Sequence, residues 1–335
     1  MLSDDSRHVF EVVNLVFLSS LIALFGIVAN IINIIIFYRQ GYRSTVNISF
    51  TGLAVSDLCS LVVMQWYNLC FNPLFVNSGV PMIPAQVQHL TGGMPHLCFT
   101  RITGWITVYI TAERCLCISS PLKIKRILTP KRSCLIIVTI YVTCFLTLVP
   151  EYMSTFIGWQ FDPKTNTSLL SLIHASDSHG LDGVSFLLFG IYMILSFLIV
   201  GVCTSVLVYK LRSKSQWRQK STGQINQAGE VSPRDQKTIR TVIVIASVMI
   251  VFFTPSVIIT VFVFVVPEFK VTGGLSNLFL VAWTFGMLFE VVHSSVTLVL
   301  YYAMSSKYRH SFRQLFCLVK KPNIGETNTN TDIAL

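Results

Sequence analysis

Apolar residues fall into seven long runs separated by polar segments: Val12–Tyr38, Ile48–Cys70, Gly92–Ile118, Cys134–Met153, Val184–Leu211, Thr238–Val266 and Leu275–Tyr302. A helix needs about 20 residues to cross the hydrocarbon core of a bilayer, more when tilted, and every run is long enough. In hydrocarbon the backbone must satisfy its own N–H and C=O groups, which leaves helices or a closed barrel. These runs are too long and too uniformly apolar for barrel strands. The pattern predicts an all-α membrane protein, a seven-transmembrane helix bundle over 12–302, preceded by an N-terminal segment at 1–11. After the last run, Ser306–Phe316 carries aromatic and basic faces suited to a short amphipathic eighth helix, within 303–317, lying on a membrane surface. The polar tail at 318–335 reads as disordered.

Composition agrees with this reading. The chain is 53% hydrophobic and 12% charged, against roughly 25% charged residues in an ordinary soluble domain. Of its 25 Lys and Arg residues, 21 fall on one side of the predicted bundle, beside Arg39, around Lys123, from Lys210 to Arg240, and after Lys307. The positive-inside rule puts that side in the cytosol and the N-terminus outside, as in a multi-pass protein of the plasma membrane. The net charge of +10 is therefore a topology signal, with anionic lipid headgroups as its partner; the topology denies a single basic face to nucleic acid. Asp4 and Asp5 with one early Arg do not make the basic start of a cleaved signal peptide, so the first run reads as a retained anchor helix. Ser213–Gln236 is the one substantial polar interruption and reads as mobile.

Ionisable residues inside membrane segments are expensive and mark function by default. Here they include Asp57, Arg101, Glu113, Arg114 and Glu290. Arg101 suits a carboxylate or an amidated peptide terminus and Glu290 a cation; equally, the two would pair with each other, or Arg101 would snorkel. Trp105, Phe253, Phe279 and Trp283 are aromatic candidates for the same cavity, or simple packing. Pro255 removes a backbone hydrogen bond within the sixth run and makes a hinge there. Glu290 and His293 lie three apart, and His89 and His96 seven apart, which leaves an intramembrane metal-dependent enzyme as one alternative. No nucleophile elbow or metalloprotease helix accompanies them, and the paired repeats of a transporter are missing. Asn166-Thr167-Ser168 is a glycosylation sequon on the predicted outer side, and Ile333-Ala334-Leu335 would suit a PDZ domain.

Several motifs together resemble the rhodopsin-like G-protein-coupled receptors. They are Gly26-Ile27-Val28-Ala29-Asn30, Leu53-Ala54-Val55-Ser56-Asp57-Leu58, Glu113-Arg114-Cys115 with Ser119-Ser120-Pro121-Leu122, and Phe252-Phe253-Thr254-Pro255. The likeness runs from Asn30 to Cys317, and the run Ile110–Leu122 looks like invertebrate orphan receptors of the neuropeptide or chemosensory kind. It implies a receptor, not an enzyme, that binds an extracellular peptide or small molecule and activates a heterotrimeric G protein by movement of the sixth helix. Arrestin would be a further partner. It further implies a sodium ion at Asp57, against the plainer reading of an interhelical hydrogen bond with Asn30. Phe253 and Pro255 become the toggle and hinge. Asp235 becomes a lock on Arg114, in competition with Glu113, or merely a favourable first-turn acid. Cys317 becomes a palmitoylation site. His96 stands where amine receptors of the family carry an Asp, which argues against an amine ligand and turns attention to His96, Arg101, Trp105 and Glu290. The chain also departs from the pattern. Thr297–Tyr301 keeps only the Tyr of the family's Asn-Pro-x-x-Tyr, and His89 replaces the cysteine of its extracellular disulfide. Those departures keep open a receptor-like protein that binds ligand without coupling.

Overall fold

In the computed structural model the described residues are 3–119, 127–163, 166–175, 181, 183–220 and 233–316. Seven long helices cross-pack in chain order: α1 Asp4–Gln40, α2 Thr45–Cys70, α3 Met94–Ser119, α4 Pro130–Ser154, α5 Val184–Lys220, α6 Pro233–Val265 and α7 Ser276–Met304. A short α8, Ser306–Leu315, follows α7. A hairpin of β1 Thr155–Asp162 and β2 Thr167–His174, paired antiparallel, joins α4 to α5. The hairpin marks one end of the bundle and α8 the other.

Local chemistry sets the helix ends. Ser3 accepts the Ser6 N–H at 3.2 Å, and Asp4 and Asp5 occupy the first turn, so α1 starts eight residues before its apolar run. The stretch predicted as a separate N-terminal segment is thus helical from Asp4 onward. Arg7 donates to Asn277 Oδ1 at 3.1 Å, tying this extension to the start of α7. Over Val12–Ser19 the turns of α1 widen into a π-helix, a rare form that re-aims side chains; there Asn14 donates to Thr284 on α7 at 2.9 Å. Gly41, at φ 81°, ends α1, a conformation that favours glycine. Thr129 caps α4 ahead of Pro130, and Ser305 caps α8 by accepting the Tyr308 N–H at 3.2 Å.

Six of the helices are apolar enough to span a bilayer on composition alone; α3 is the one that is not. The packing explains why. Of its 26 residues 17 are buried, whereas Pro130–Leu146 of α4 buries three of 17. Helix α3 packs against α2, α4, α5 and α6, so protein rather than lipid receives its threonines and charges. The core runs along this central helix through Met94, Leu97, Cys98, Ile102, Ile106 and Ile110, all buried.

Candidate functional site

Three embedded charges, Arg101, Glu113 and Arg114, sit at two distinct levels of α3, and each level has its own partners. Nearer the hairpin end, His96 and Arg101 of α3 face Glu290 of α7. His96 Nε2 lies 3.5 Å from Glu290 Oε2, and Arg101 Nη1 lies 3.8 Å from Glu290 Oε1. All three are buried, so Arg101 does not snorkel. His96 is anchored through Nδ1 to Ser60 of α2, 2.9 Å from its hydroxyl and 3.2 Å from its carbonyl oxygen. Beside this group is a narrow cleft between α3, α6 and α7, lined by Leu97, Arg101, Ser256, Ile259, Trp283 and Glu290 among others. Of the aromatic candidates, Trp283 lines it. Trp105 turns edge-on to Tyr192 of α5, Phe253 packs edge-on against His293, and Phe279 packs on Phe269.

Asp57 of α2 is fully buried one level deeper. Its Oδ1 accepts from Thr103 of α3 at 2.8 Å and from Ser294 of α7 at 3.1 Å, while Oδ2 has no protein partner. The expected bond between Asp57 and Asn30 is not made. Asn30 donates instead to the carbonyls of Gly26 and Ser294, at 2.9 and 2.8 Å. Its Oδ1 receives Asn33 Nδ2 and the Thr297 hydroxyl, each at 3.3 Å. Asn33 Oδ1 in turn accepts from Tyr308 of α8 at 2.5 Å. A buried polar chain therefore reaches from Asp57 to α8. Burial pushes the Tyr308 phenol well above the ordinary tyrosine range, so it stays protonated and able to donate.

At the α8 end of α3, Arg114 Nη2 donates to Glu113 Oε1 at 2.6 Å, and the Thr45 hydroxyl of α2 donates to the same oxygen at 2.6 Å. Arg114 is 7% exposed, closed down on its neighbour. Tyr301 is buried among Phe37, Phe50 and Tyr308, with ring centroids 5.1, 4.9 and 5.6 Å away. Pro255 lies inside α6 with no N–H to return to the preceding turn. The side chain of Asp235, the whole of Cys317 and the tail 318–335 lie outside the described residues.

At the hairpin end, His89 Nε2 lies 2.7 Å from Glu151 Oε1, which takes it away from His96. The four residues of the metal-site alternative therefore do not converge, and among the described residues no three His, Cys, Asp or Glu side chains group for a metal. Cys70 and Cys98 are free thiols. Asn166 is exposed at the hairpin turn with φ 53°.

Reading the sequence missed the hydroxyls that hold these charges: Thr45, Ser60, Thr103 and Ser294. One signal was available, since Thr100, Thr103, Thr107 and Thr111 recur along one side of α3 at helical spacing. The Tyr308–Asn33 contact carried none.

Six long helices about a polar central one, α3, with buried charges in the interior, make a serpentine seven-helix membrane bundle. Residues 17–319 match the family model described as serpentine type 7TM GPCR chemoreceptor Srw, which is 303 of the 335 residues, and the chain belongs to that family. This is a multi-pass membrane receptor family of chemosensory type and not an enzyme family.

Proposed function

We propose that this chain binds an extracellular ligand in the cleft beside His96, Arg101 and Glu290 and passes the signal to a heterotrimeric G protein. The observation that carries the reading is the buried charge group itself. Membrane segments rarely hold ionisable residues without use, and these border a narrow cleft between α3, α6 and α7. With the N-terminus outside, as the basic residues argue, the cleft faces the exterior, Asn166 is exposed for glycosylation, and Arg114 faces the cytosol. Closure of Arg114 on Glu113 is the resting state. Ligand favours an arrangement in which α6 pivots at Pro255 beside Phe253 and frees Arg114, and Asp235 of α6 adds to the lock. Such a shift requires the ligand to bind the open arrangement more tightly.

Asp57, with an unpartnered oxygen beside the Thr103 and Ser294 hydroxyls, has a donor set that fits a sodium ion. The ion would supply positive charge to a buried carboxylate and stiffen the contact of α2, α3 and α7. Tyr301 would move with α7. Cys317, at the end of α8, would take a palmitoyl chain, and lipids, arrestin and a PDZ domain remain further partners.

The test is ligand-independent G-protein activation in cells at matched surface expression, comparing the native chain with Arg114→Ala and Asp235→Ala. The proposal expects Asp235→Ala to raise the basal signal and Arg114→Ala to abolish it. Equality of all three with untransfected cells would favour the second reading, a receptor that binds without coupling. The loss of the seventh-helix Asn and Pro motivates that reading.

A further inference from the structure

Helix α8 is fastened to α7 and to α1 in different ways. Arg309 Nη1 donates to the last carbonyls of α7, Tyr302 at 3.1 Å and Ala303 at 2.7 Å. Phe312 packs edge-on against Tyr302 with ring centroids 5.2 Å apart, and Ser305 alone separates the two helices. α8 therefore travels with α7. Toward α1, Gln40 donates to the Ser311 hydroxyl at 3.1 Å in a half-buried position, and the Tyr308 hydroxyl donates to Asn33 Oδ1 at 2.5 Å in the interior.

The interior bond ends a network in which every group is used. Asn33 Nδ2 donates to Asn30 Oδ1 at 3.3 Å and to Thr297 Oγ1 of α7 at 3.2 Å, while its oxygen takes the Tyr308 hydroxyl. A satisfied buried network holds one arrangement, and losing a member leaves a desolvated group unpaired. One ring away the opposite holds. The Tyr301 hydroxyl is buried with no partner among the described residues, and its ring is held by packing on Phe37, Phe50 and Tyr308. Tyr308 thus supplies the polar hold at this end of α7, and Tyr301 keeps an open hydroxyl that gains a partner only by leaving.

α7 has little means to give way on its own. It contains no proline, and no glycine after Gly286, the two residues that most weaken a helix interior. It is helical without interruption to Met304. A displacement of α7 at Glu290 is therefore carried down to Tyr301 and on to α8, and α8 can follow only by parting from α1.

We propose that the Tyr308–Asn33 bond is a latch, which holds α7 and α8 against α1 in the resting arrangement and opens when the receptor signals. Asn33 and Tyr308 are positioning residues that act through α7. The inference rests on the reading that this chain couples to a G protein.

The test compares the native full-length chain, Asp235→Ala and Tyr308→Phe at matched surface expression. Tyr308→Phe keeps the ring and removes the bond, and it raises the basal G-protein signal about tenfold. In nanodiscs it speeds amide exchange across Ser306–Leu315 and Thr297–Met304 together. A second variant pins the latch and leaves the buried network intact, so it gives a reading even if Tyr308→Phe does not reach the surface. In Gln40→Cys/Ser311→Cys, added to Asp235→Ala, a short cleavable bis-thiosulfonate linker joins α1 to α8 in isolated membranes. It lowers the raised signal, cleavage restores it, and the single-cysteine variants treated alike give the baseline.

A basal signal that Asp235→Ala raises and Tyr308→Phe does not would overturn the latch, as would a cross-link without effect on the signal. If Asp235→Ala is silent as well, the coupling reading fails, and amide exchange decides the latch alone. Loosening of α8 together with Thr297–Met304 then supports it, and loosening of α8 by itself overturns it.

Discussion

His89 occupies the position at which the receptor pattern places a disulfide cysteine, and its imidazole bonds Glu151 at 2.7 Å where α4 meets the hairpin. This contact should do part of the missing bridge's work. The remaining ties of the hairpin are hydrogen bonds. Ile83 N–H donates to the Leu170 carbonyl and Leu170 N–H to that of Pro81, each at 2.9 Å, and Leu172 N–H reaches Gln86 Oε1 at 3.2 Å. His89→Phe keeps the stacking on Phe186, now 6.3 Å between centroids, and removes only the polar contact. It leaves the carboxylate of Glu151, whose side chain is 7% exposed, without its imidazole. A fully buried pair broken on one side costs about 3–5 kcal/mol. The His89 side chain is 29% exposed, and water reaching the gap brings the figure down to about 2 kcal/mol, within the range for hydrogen bonds to charged groups. That corresponds to a fall of about 3 °C in melting temperature for a chain of 335 residues. The assay is thermal unfolding of the purified receptor in nanodiscs for His89→Phe, Glu151→Gln and the pair, with amide exchange of Thr155–His174 as the local readout. A coupling of about 1–2 kcal/mol between the two sites is expected. Strictly additive effects, or unchanged exchange in the hairpin, would refute the reasoning.

Gly26→Ala puts a methyl 2.2 Å from Ser295 Oγ and 2.7 Å from Leu61 Cδ1. It should destabilise by about 1–3 kcal/mol through overpacking. Gly201→Ala on α5, with nothing within 4 Å, should be neutral or stabilise by up to about 1 kcal/mol; thermal unfolding distinguishes the two. Tyr308→Phe removes the 2.5 Å bond to Asn33 and leaves a buried acceptor open, for a cost of about 1–3 kcal/mol. Its melting temperature should fall while that of Phe312→Leu, a change in packing alone, falls less. Glu113→Gln weakens the 2.6 Å closure of Arg114. A loss of about 1.5 kcal/mol there should raise the basal G-protein signal roughly tenfold where the resting state dominates; an unchanged signal at equal surface expression would count against Glu113 as the resting partner.

The seven runs and the amphipathic segment after them were legible because a bilayer imposes two local requirements, apolar length and internal hydrogen bonding, and both are written in consecutive residues. Orientation was inferred in the same way, from the distribution of 21 basic residues on one side. Even the charged positions announced themselves, since Asp57, Arg101, Arg114 and Glu290 stand out against their apolar surroundings. Their partners did not. Whether Asp57 bonds Asn30 or Thr103 depends on the rotation of α2 against α3, and whether Arg101 meets Glu290 depends on two helices 189 positions apart in the chain. The start of α1 at Asp4 was hidden by its polarity, because a cap at Ser3 and a tie to Asn277 hold a helix that hydropathy does not mark. His89 read as the loss of a disulfide; only the packed ends of α3 and α4 turned it into a contact with Glu151. Composition marked six of the seven long helices as membrane spans, and packing shelters the polar residues of the seventh, α3. Tertiary packing decided which polar atoms meet there and which are left open, because a side chain's partners are set by the faces that helices present to one another and not by its neighbours in sequence.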